Sequence, residues 1–76
     1  MKELVEYLVT RLVEHPERAS VSEIRRSPDT VTYEIRVAEE DFGKVVGKGG
    51  SIANSIRTLV RAAASRRGER AFVDII

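Results

Sequence analysis

Apolar residues recur at helical spacing in the first 14 positions of the chain and at strand spacing further on. The helical spacing predicts an amphipathic helix from Met1 to about Glu14, whose apolar members are Leu4, Val5, Leu8, Leu12 and Val13. Pro16 cannot continue a helix and restricts the backbone of His15, so the helix is expected to end near that residue. There the histidine would lie at the negative end of the helix dipole.

Two strands joined by a turn are predicted next. The segment from Ala19 to Arg26 is a strand candidate in which Val21 and Ile24 break strict alternation, and a bulge or a change of register would explain this. Ser27-Pro28-Asp29-Thr30 has the composition of a turn. From Thr30 to Val37 the alternation is strict, with Val31, Tyr33, Ile35 and Val37 on one face and Thr32, Glu34 and Arg36 on the other. The two strands are expected to form an antiparallel hairpin.

The second half predicts two helices around a glycine-rich turn, followed by a last strand. Glu39-Glu40-Asp41 suits a helix start, and a short helix is expected from Asp41 to Val46. Gly68 is expected to close the longer helix, and Arg70 to Ile76 alternates like a strand. The longer helix is expected to bury Ile52, Ile56, Leu59, Val60 and Ala63, with Asn54, Arg57 and Arg61 on the opposite side. The order α-β-β-α-α-β predicts one α+β domain over residues 1–76, with helices covering one face of a three-stranded sheet.

Composition removes several classes of function. The 76 residues include no cysteine and a single histidine, which excludes a disulfide framework and a zinc site with the usual Cys/His ligands. No metal or other cofactor is expected. The first residues lack the apolar core of a signal peptide, and no stretch approaches the ~18 apolar residues of a membrane span. A cytoplasmic protein that does not enter a membrane is therefore expected.

Charge is distributed unevenly along the chain. Residues 1–42 carry six basic and ten acidic residues, whereas residues 43–76 carry seven basic and two acidic ones. Between Gly43 and Arg67 there are six basic residues and no acidic one. Such asymmetry indicates a surface that faces an anion, although a solvated helix that balances the acidic half would give the same pattern.

The glycine-rich turn, Gly47-Lys48-Gly49-Gly50, is the main candidate for binding chemistry. A Walker phosphate loop would require glycine at position 42 and Ser/Thr after Lys48, but these positions hold Phe42 and Gly49. A dinucleotide-binding fingerprint would require glycine where Ile52 stands. What remains is a turn whose glycines permit close backbone approach and which opens a helix, whose N-terminus attracts anions. The alternative is a plain corner between two helices, for which one glycine would suffice.

These residues resemble a known family. Val45-Val46 followed by Gly47-Lys48-Gly49-Gly50 is similar to the KH signature, in which a hydrophobic pair precedes G-x-x-G at the start of a helix. The element order resembles that of the type II, prokaryotic KH domain. The segments from Asp41 to Gly50 and from Ala53 to Val60 look like those of the bacterial KhpA (YlqC-type) family of single-domain KH proteins, and the resemblance covers essentially the whole chain.

The resemblance implies that the chain binds single-stranded RNA, about four nucleotides at a time. Two positions depart from the usual pattern. Ser51 stands where many relatives carry a basic residue, and it is expected to cap the helix or donate to phosphate. Ala53 stands where many KH domains have a larger aliphatic residue, and Ile52 and Ile56 are expected to supply the missing packing. Val45, Val46 and Ile35 are expected to form an apolar floor unless they belong to the core. The residues that the resemblance assigns to the groove are Ile35, Arg36, Lys44, Val45, Val46, Gly47, Lys48, Gly49, Gly50, Ser51, Asn54 and Arg57.

Two other classes of function are weighed against RNA binding. Catalysis finds no support, since no cysteine, histidine pair or carboxylate pair accompanies the glycine turn. A protein-interaction module is the alternative, with self-association through Leu4, Leu8 and Leu12 or through the glycine turn. The resemblance also implies a larger KH-containing protein as a partner. RNA binding explains the turn, the charge asymmetry and the element order together, and it is the predicted function, in the form of an RNA chaperone or post-transcriptional regulator.

Overall fold

The computed structural model describes residues 1–76, and its elements follow the predicted order. The hairpin, the two later helices and the last strand lie within one or two residues of their expected positions. The first helix ends earlier than expected, so His15 lies three residues beyond its end and not in its last turn. The elements are α1 (Lys2–Leu12), β1 (Ser20–Ser27), β2 (Thr30–Arg36), α2 (Phe42–Val46), α3 (Ser51–Ser65) and β3 (Arg70–Ile75), with short 3-10 turns at Pro16–Arg18, Glu39–Asp41 and Lys48–Gly50.

The sheet has the order β1-β2-β3, so β2 lies in the centre. It pairs antiparallel with β1, as the hairpin prediction required, and parallel with β3. Val21 is opposite Ile35 and Ile24 is opposite Thr32, so the two β1 residues face opposite sides of the sheet without any irregularity between them. The register shift lies further along, between Arg25 and Ser27 next to the turn. The broken alternation therefore reflects a strand with an apolar residue on each face.

The core lies between the helices and one face of the sheet. It forms a single cluster of 12 buried residues, to which all three strands and all three helices contribute. The β2 residues Val31, Tyr33 and Ile35 are at most 1% exposed and form its centre. Because these residues alternate along β2 with Thr32, Glu34 and Arg36, the second set faces the side of the sheet that no helix covers. The prediction of one helical layer on a three-stranded sheet is confirmed.

The buried face of α3 is rotated from the predicted one. Leu59, expected in the core, is 53% exposed, whereas Ala53 and Ala64 are buried beside Ile56 and Val60. Small residues at these two positions let the helix backbone lie close to a sheet face already filled by larger side chains. Ile56 and the half-buried Ile52 supply the packing expected of them, but Ala53 is itself part of the contact.

Gly68 ends α3 as predicted. Its φ of 71° is left-handed, its N–H donates to Ser65 O, and Glu69 N–H donates to Ala64 O, the bond pattern of a Schellman cap. The chain then turns directly into β3. None of the helices has the length and apolar character that crossing a membrane requires.

Asp41 connects the end of α1 to the start of α2. Its side chain is fully buried, and its two carboxylate oxygens accept the backbone N–H groups of Glu14 at 3.1 Å and His15 at 3.0 Å. Burial acts to raise the pKa of Asp41, but these two hydrogen bonds outweigh it and the pKa lies below its ordinary value. Asp41 was expected only as a favourable charge at a helix start; it makes no cap for α2 and instead fixes the chain that follows α1.

Candidate nucleic-acid interface

The glycine loop, residues 47–50, joins α2 to α3 through a backbone that only glycine adopts readily. Gly47, Gly49 and Gly50 have φ values of 77°, 64° and 79°. With a ψ of 172° as well, Gly47 lies in a region of backbone conformation that is essentially restricted to glycine. A Cβ at this position would lie 2.7 Å from Ile52 Cγ1 and 2.9 Å from the Ile52 backbone nitrogen. Three of the four loop residues therefore occupy backbone conformations that favour glycine, and at Gly47 the neighbouring atoms also leave no room for a side chain.

The loop presents the N-terminus of α3 to solvent. Gly50 is the N-cap in a left-handed conformation, and no side chain accepts a hydrogen bond from the first turn of the helix. The expectation that Ser51 caps the helix is wrong, because Ser51 is the first residue inside it, whereas its alternative role as a donor to phosphate stays a prediction. The first N–H group of α3, that of Ser51, donates to Lys48 O, and the positive end of the helix dipole lies beside the exposed Lys48 side chain. This combination suits a phosphate group.

One wall of the site is formed where α3 meets β3. Arg57 Nε donates to Val73 O at 3.2 Å, and Arg57 Nη1 donates to Asn54 Oδ1 at 3.1 Å. The guanidinium thus fixes the side chain of Asn54 and ties the helix to the strand. Sequence reasoning placed Arg57 on the helix face opposite the core, but it lies half-buried at the border of that core. Since Asn54 Oδ1 is occupied, the Asn54 amide group offers donors to the groove.

The outer edge of β3 forms the other wall. Arg70 N–H donates to Asp29 O and Ile76 N–H donates to Ile35 O, both toward β2. Because backbone groups alternate along a strand, those of Ala71, Val73 and Ile75 point away from β2, and Arg57 occupies only Val73 O. Ala71 and Val73 are only 5% and 4% exposed, so the accessible part of this edge lies at the half-buried Ile75, near the end of the strand.

Four predicted site residues lie apart from this groove in different ways. Val45 and Ile35 are 0% exposed and belong to the core, so they support the groove from beneath and offer no apolar floor to a ligand. Arg36 alternates with Ile35 and lies on the helix-free face of the sheet. Lys44 Nζ pairs with Glu14 Oε1 at 2.9 Å, and this hydrogen bond raises the Lys44 pKa.

The other predicted residues are brought together around the loop and along α3. Val46 is half-buried beside Gly47. One turn after Arg57, the exposed Arg61 lies on the same side of α3. The contribution of the Val73 carbonyl was missed by sequence reasoning, because a backbone acceptor carries no residue signature. The residues that line this groove are Val46, Gly47, Lys48, Gly49, Gly50, Ser51, Asn54, Arg57 and Arg61.

Comparison with known proteins agrees with this geometry. The family model described as KhpA/KhpB, KH domain, matches residues 2–75. The chain belongs to the KhpA/KhpB family of KH domains. The resemblance seen in the glycine turn and its flanking helices is confirmed, and the α+β sheet with its helical layer is the fold of this family.

Similar members of the KhpA/KhpB family come from several bacteria. The RNA-binding protein KhpA of Clostridium perfringens is 45% identical over 76 residues and that of Caldanaerobacter subterraneus subsp. tengcongensis is 46% identical, both with complete coverage of the two chains. The RNA-binding protein KhpA of Chlamydia pneumoniae is 38% identical over 76 residues, covering all of this chain and 96% of its own. No solved structure gives a significant match.

Proposed function

We propose that this chain binds single-stranded RNA in the groove between the glycine loop, α3 and the outer edge of β3. The observation that carries the proposal is the loop itself, where three left-handed glycines leave the N-terminus of α3 uncapped beside Lys48. The absence of acidic residues between Gly43 and Arg67 keeps this surface attractive to a polyanion. The name RNA-binding protein, carried by the KhpA relatives, supports the same function.

Two regions of the groove bind different parts of the RNA. Phosphates lie against the loop, where backbone N–H groups and the Lys48 ammonium supply donors without regard to base sequence. Bases lie further along α3, where Asn54 and Arg57 offer side-chain donors beside the end of β3. The only aromatic residue near the loop is the exposed Phe42, so recognition relies on hydrogen bonds and aliphatic contact more than on stacking.

The double substitution Lys48→Asp/Gly49→Asp tests the proposal. Both sites are exposed, a Cβ at Gly49 meets nothing within 4 Å, and aspartate tolerates left-handed backbone better than most residues. The fold should therefore survive while two carboxylates repel the phosphates. We expect RNA binding to be lost in a fluorescence anisotropy titration with a single-stranded oligonucleotide. The circular dichroism spectrum should be retained, and the melting temperature should fall by no more than the roughly 4–8 °C that corresponds to about 1 kcal/mol of backbone strain at Gly49.

A matched control separates the loop from overall charge. Lys2→Asp makes the same change of charge as Lys48→Asp, at an exposed position in the first turn of α1. We expect the Lys48→Asp single variant to bind more weakly than the Lys2→Asp variant at equal salt. Equal affinities of the wild-type protein and the double loop variant would show that the loop is not the binding site.

Salt dependence gives an independent measure of the phosphate contacts. If the loop neutralises ~2–3 phosphates, the logarithm of the binding constant should fall with the logarithm of the salt concentration at a slope of roughly −1.4 to −2.1 for a single strand. A slope near zero would contradict binding through the phosphates and would favour a protein-interaction module.

We further infer that the chain acts in the cytoplasm as an RNA chaperone or post-transcriptional regulator. One groove that holds about four nucleotides, mainly by their backbone, gives weak and broad binding. A second copy or a larger KH-containing partner would raise the affinity through avidity. Crosslinking and sequencing of bound RNA from cells, with the Lys48→Asp/Gly49→Asp variant as control, would test this role: many RNAs lost together in the variant support it, and an unchanged RNA set contradicts it.

A further inference from the structure

The side chain of Asn54 lies between the glycine loop and the wall that Arg57 forms with β3. A Cβ placed on Gly50 would lie 3.9 Å from Asn54 Nδ2, an ordinary contact distance, so this amide nitrogen lies directly beside the loop backbone. Asn54 is exposed, and its Nδ2 donates to no group of the protein, since its hydrogen bonds use Oδ1 and the backbone oxygen. Both hydrogens of the amide are therefore available to a ligand at the loop.

The orientation of this amide is set by Arg57. A guanidinium group can only donate, and Arg57 Nη1 donates to Asn54 Oδ1 at 3.1 Å, so the amide oxygen, and not the nitrogen, faces Arg57. The guanidinium is itself held through Nε, which donates to Val73 O at 3.2 Å. Two hydrogen bonds in series, from β3 through Arg57, thus keep the donor end of Asn54 on the side of the loop.

We propose that Asn54 distinguishes RNA from DNA by donating from Nδ2 to the 2′-hydroxyl group of the nucleotide whose phosphate lies against the loop. The contact requires single strands at the loop and therefore rests on the proposed function. The 2′-hydroxyl group is on the ribose carbon next to the one that carries the 3′ phosphate, so a donor beside a bound phosphate reaches it. Deoxyribose has no oxygen there, and this group is what lets a protein tell RNA from DNA at a given site. In this role Arg57 is a positioning residue, because it acts through Asn54.

The other groups of the loop contact features that RNA and DNA share. The Lys48 ammonium and the backbone N–H groups bind phosphates, and the Ser51 hydroxyl group is expected to donate to phosphate as well. The exposed Phe42, the aromatic residue near the loop, offers a surface to bases and not to sugars. Discrimination between the two sugars therefore depends on Asn54, whose second amide hydrogen remains available for a base.

A single neutral hydrogen bond sets the size of the effect. Such a bond corresponds to a difference in affinity of roughly 2- to 10-fold. RNA is therefore expected to bind roughly 2- to 10-fold more tightly than DNA of the same sequence and length. Salt should weaken the binding of both strands through their phosphates, so the ratio of the two dissociation constants should change little with salt concentration.

The ratio of the dissociation constants for DNA and RNA tests the proposal. Oligocytidines with ribose or deoxyribose carry the same base, so anisotropy titrations of the two at neutral pH compare the sugars. Asn54→Ala removes the donor at an exposed helical position that accepts alanine, and the ratio should fall to near 1. Arg57→Lys keeps the charge, but one ammonium group does not replace the two-pronged contact with Asn54 and Val73. For this variant we expect the ratio to fall while the salt dependence of RNA binding stays unchanged.

Ser55→Ala is the matched control at the next residue. The Ser55 hydroxyl group donates to Ser51 O within α3, and its removal should leave the ratio unchanged. A wild-type ratio near 1, or a ratio that Asn54→Ala leaves intact, would overturn the proposal. So would a ratio that is lost in Ser51→Ala and kept in Asn54→Ala, because the sugar contact would then belong to the Ser51 hydroxyl group. Equal binding of both oligonucleotides contradicts only the role of Asn54, whereas binding of neither contradicts the proposed function as well.

Discussion

Replacing Gly47 by alanine tests how the backbone of the glycine loop is built. The φ of 77° and ψ of 172° place this residue in a region of backbone conformation that is essentially limited to glycine, at a cost of about 1–3 kcal/mol for other residues. The new Cβ would also lie 2.7 Å from Ile52 Cγ1 and 2.9 Å from the Ile52 backbone nitrogen. The side chain can rotate, but the nitrogen belongs to the first turn of α3, so the loop or the helix must move.

These two effects together predict a destabilisation of about 3 kcal/mol for Gly47→Ala. A domain of this length has a free energy of unfolding of about 4–11 kcal/mol, so the change is a large fraction of the total. Gly49→Ala is the matched control, because Gly49 has a left-handed φ of 64° but no atom within 4 Å of its Cβ position. For Gly49 we expect a cost of about 1 kcal/mol from backbone strain alone.

Urea denaturation followed by circular dichroism measures both variants. With a slope of about 1 kcal/mol/M, the unfolding midpoint should fall by about 3 M for Gly47→Ala and by about 1 M for Gly49→Ala. Midpoints within about 0.5 M of the wild type for Gly47→Ala would refute the reasoning, since strain and overlap would then be absent. A larger loss for Gly49→Ala than for Gly47→Ala would refute it as well, because it would reverse the order that the neighbouring atoms impose.

Two further predictions concern the core and the connection between α1 and α2. Val60→Ala should lower the free energy of unfolding by about 2 kcal/mol, because Val60 is buried. Leu59→Ala should change it by less than about 0.5 kcal/mol, because Leu59 is 53% exposed. Similar losses for the two variants in urea denaturation would contradict the observed rotation of α3. The pKa of Asp41 lies below its ordinary value of 3.8, so its stabilising bonds to Glu14 and His15 are fully present above that pH and are lost as the pH falls through the folded-state pKa. Asp41→Asn should therefore be less stable than the wild type at neutral pH, with the difference shrinking in strong acid; thermal melts that show a constant or growing difference on acidification would oppose this assignment.

Element order was predictable because the periodicity of the apolar residues changes clearly along the chain. The alternation in β2 holds from Val31 to Arg36, since this central strand has one face in the core and the other on the open side, although Thr32 on the open side is also buried. The orientation of α3 was less predictable. A helical wheel ranks Leu59 above Ala53 by hydrophobicity, but the space left by the sheet favours the smaller side chain. The register shift was also misplaced, because Val21 and Ile24 each have an apolar environment on a different face.

The candidate site was predictable where it depends on residue type and not where it depends on backbone partners. The conformational freedom of the loop glycines and the positive charge of Lys48 follow from the residue types themselves. Asp41 binds two N–H groups that lie 26 and 27 positions earlier in the chain, and Arg57 binds the carbonyl group of Val73, neither of which has a sequence signature. The resemblance assigned Lys44 to the groove, and only the structure shows that its ammonium group pairs with Glu14.

The parallel pairing of β2 with β3 has a consequence for how the chain folds. Thr30 pairs with Arg70 and Ile35 with Ile75, so every residue pair in this ladder spans 40 positions, whereas the β1–β2 hairpin joins near neighbours. Contacts between distant residues form slowly, because the entropy of closing the intervening chain is lost before they can stabilise it. That intervening chain contains α2, the glycine loop and α3. The loop is therefore the bend that returns the last strand to the sheet, and changes in its glycines should slow folding as well as alter the surface that it offers to a ligand.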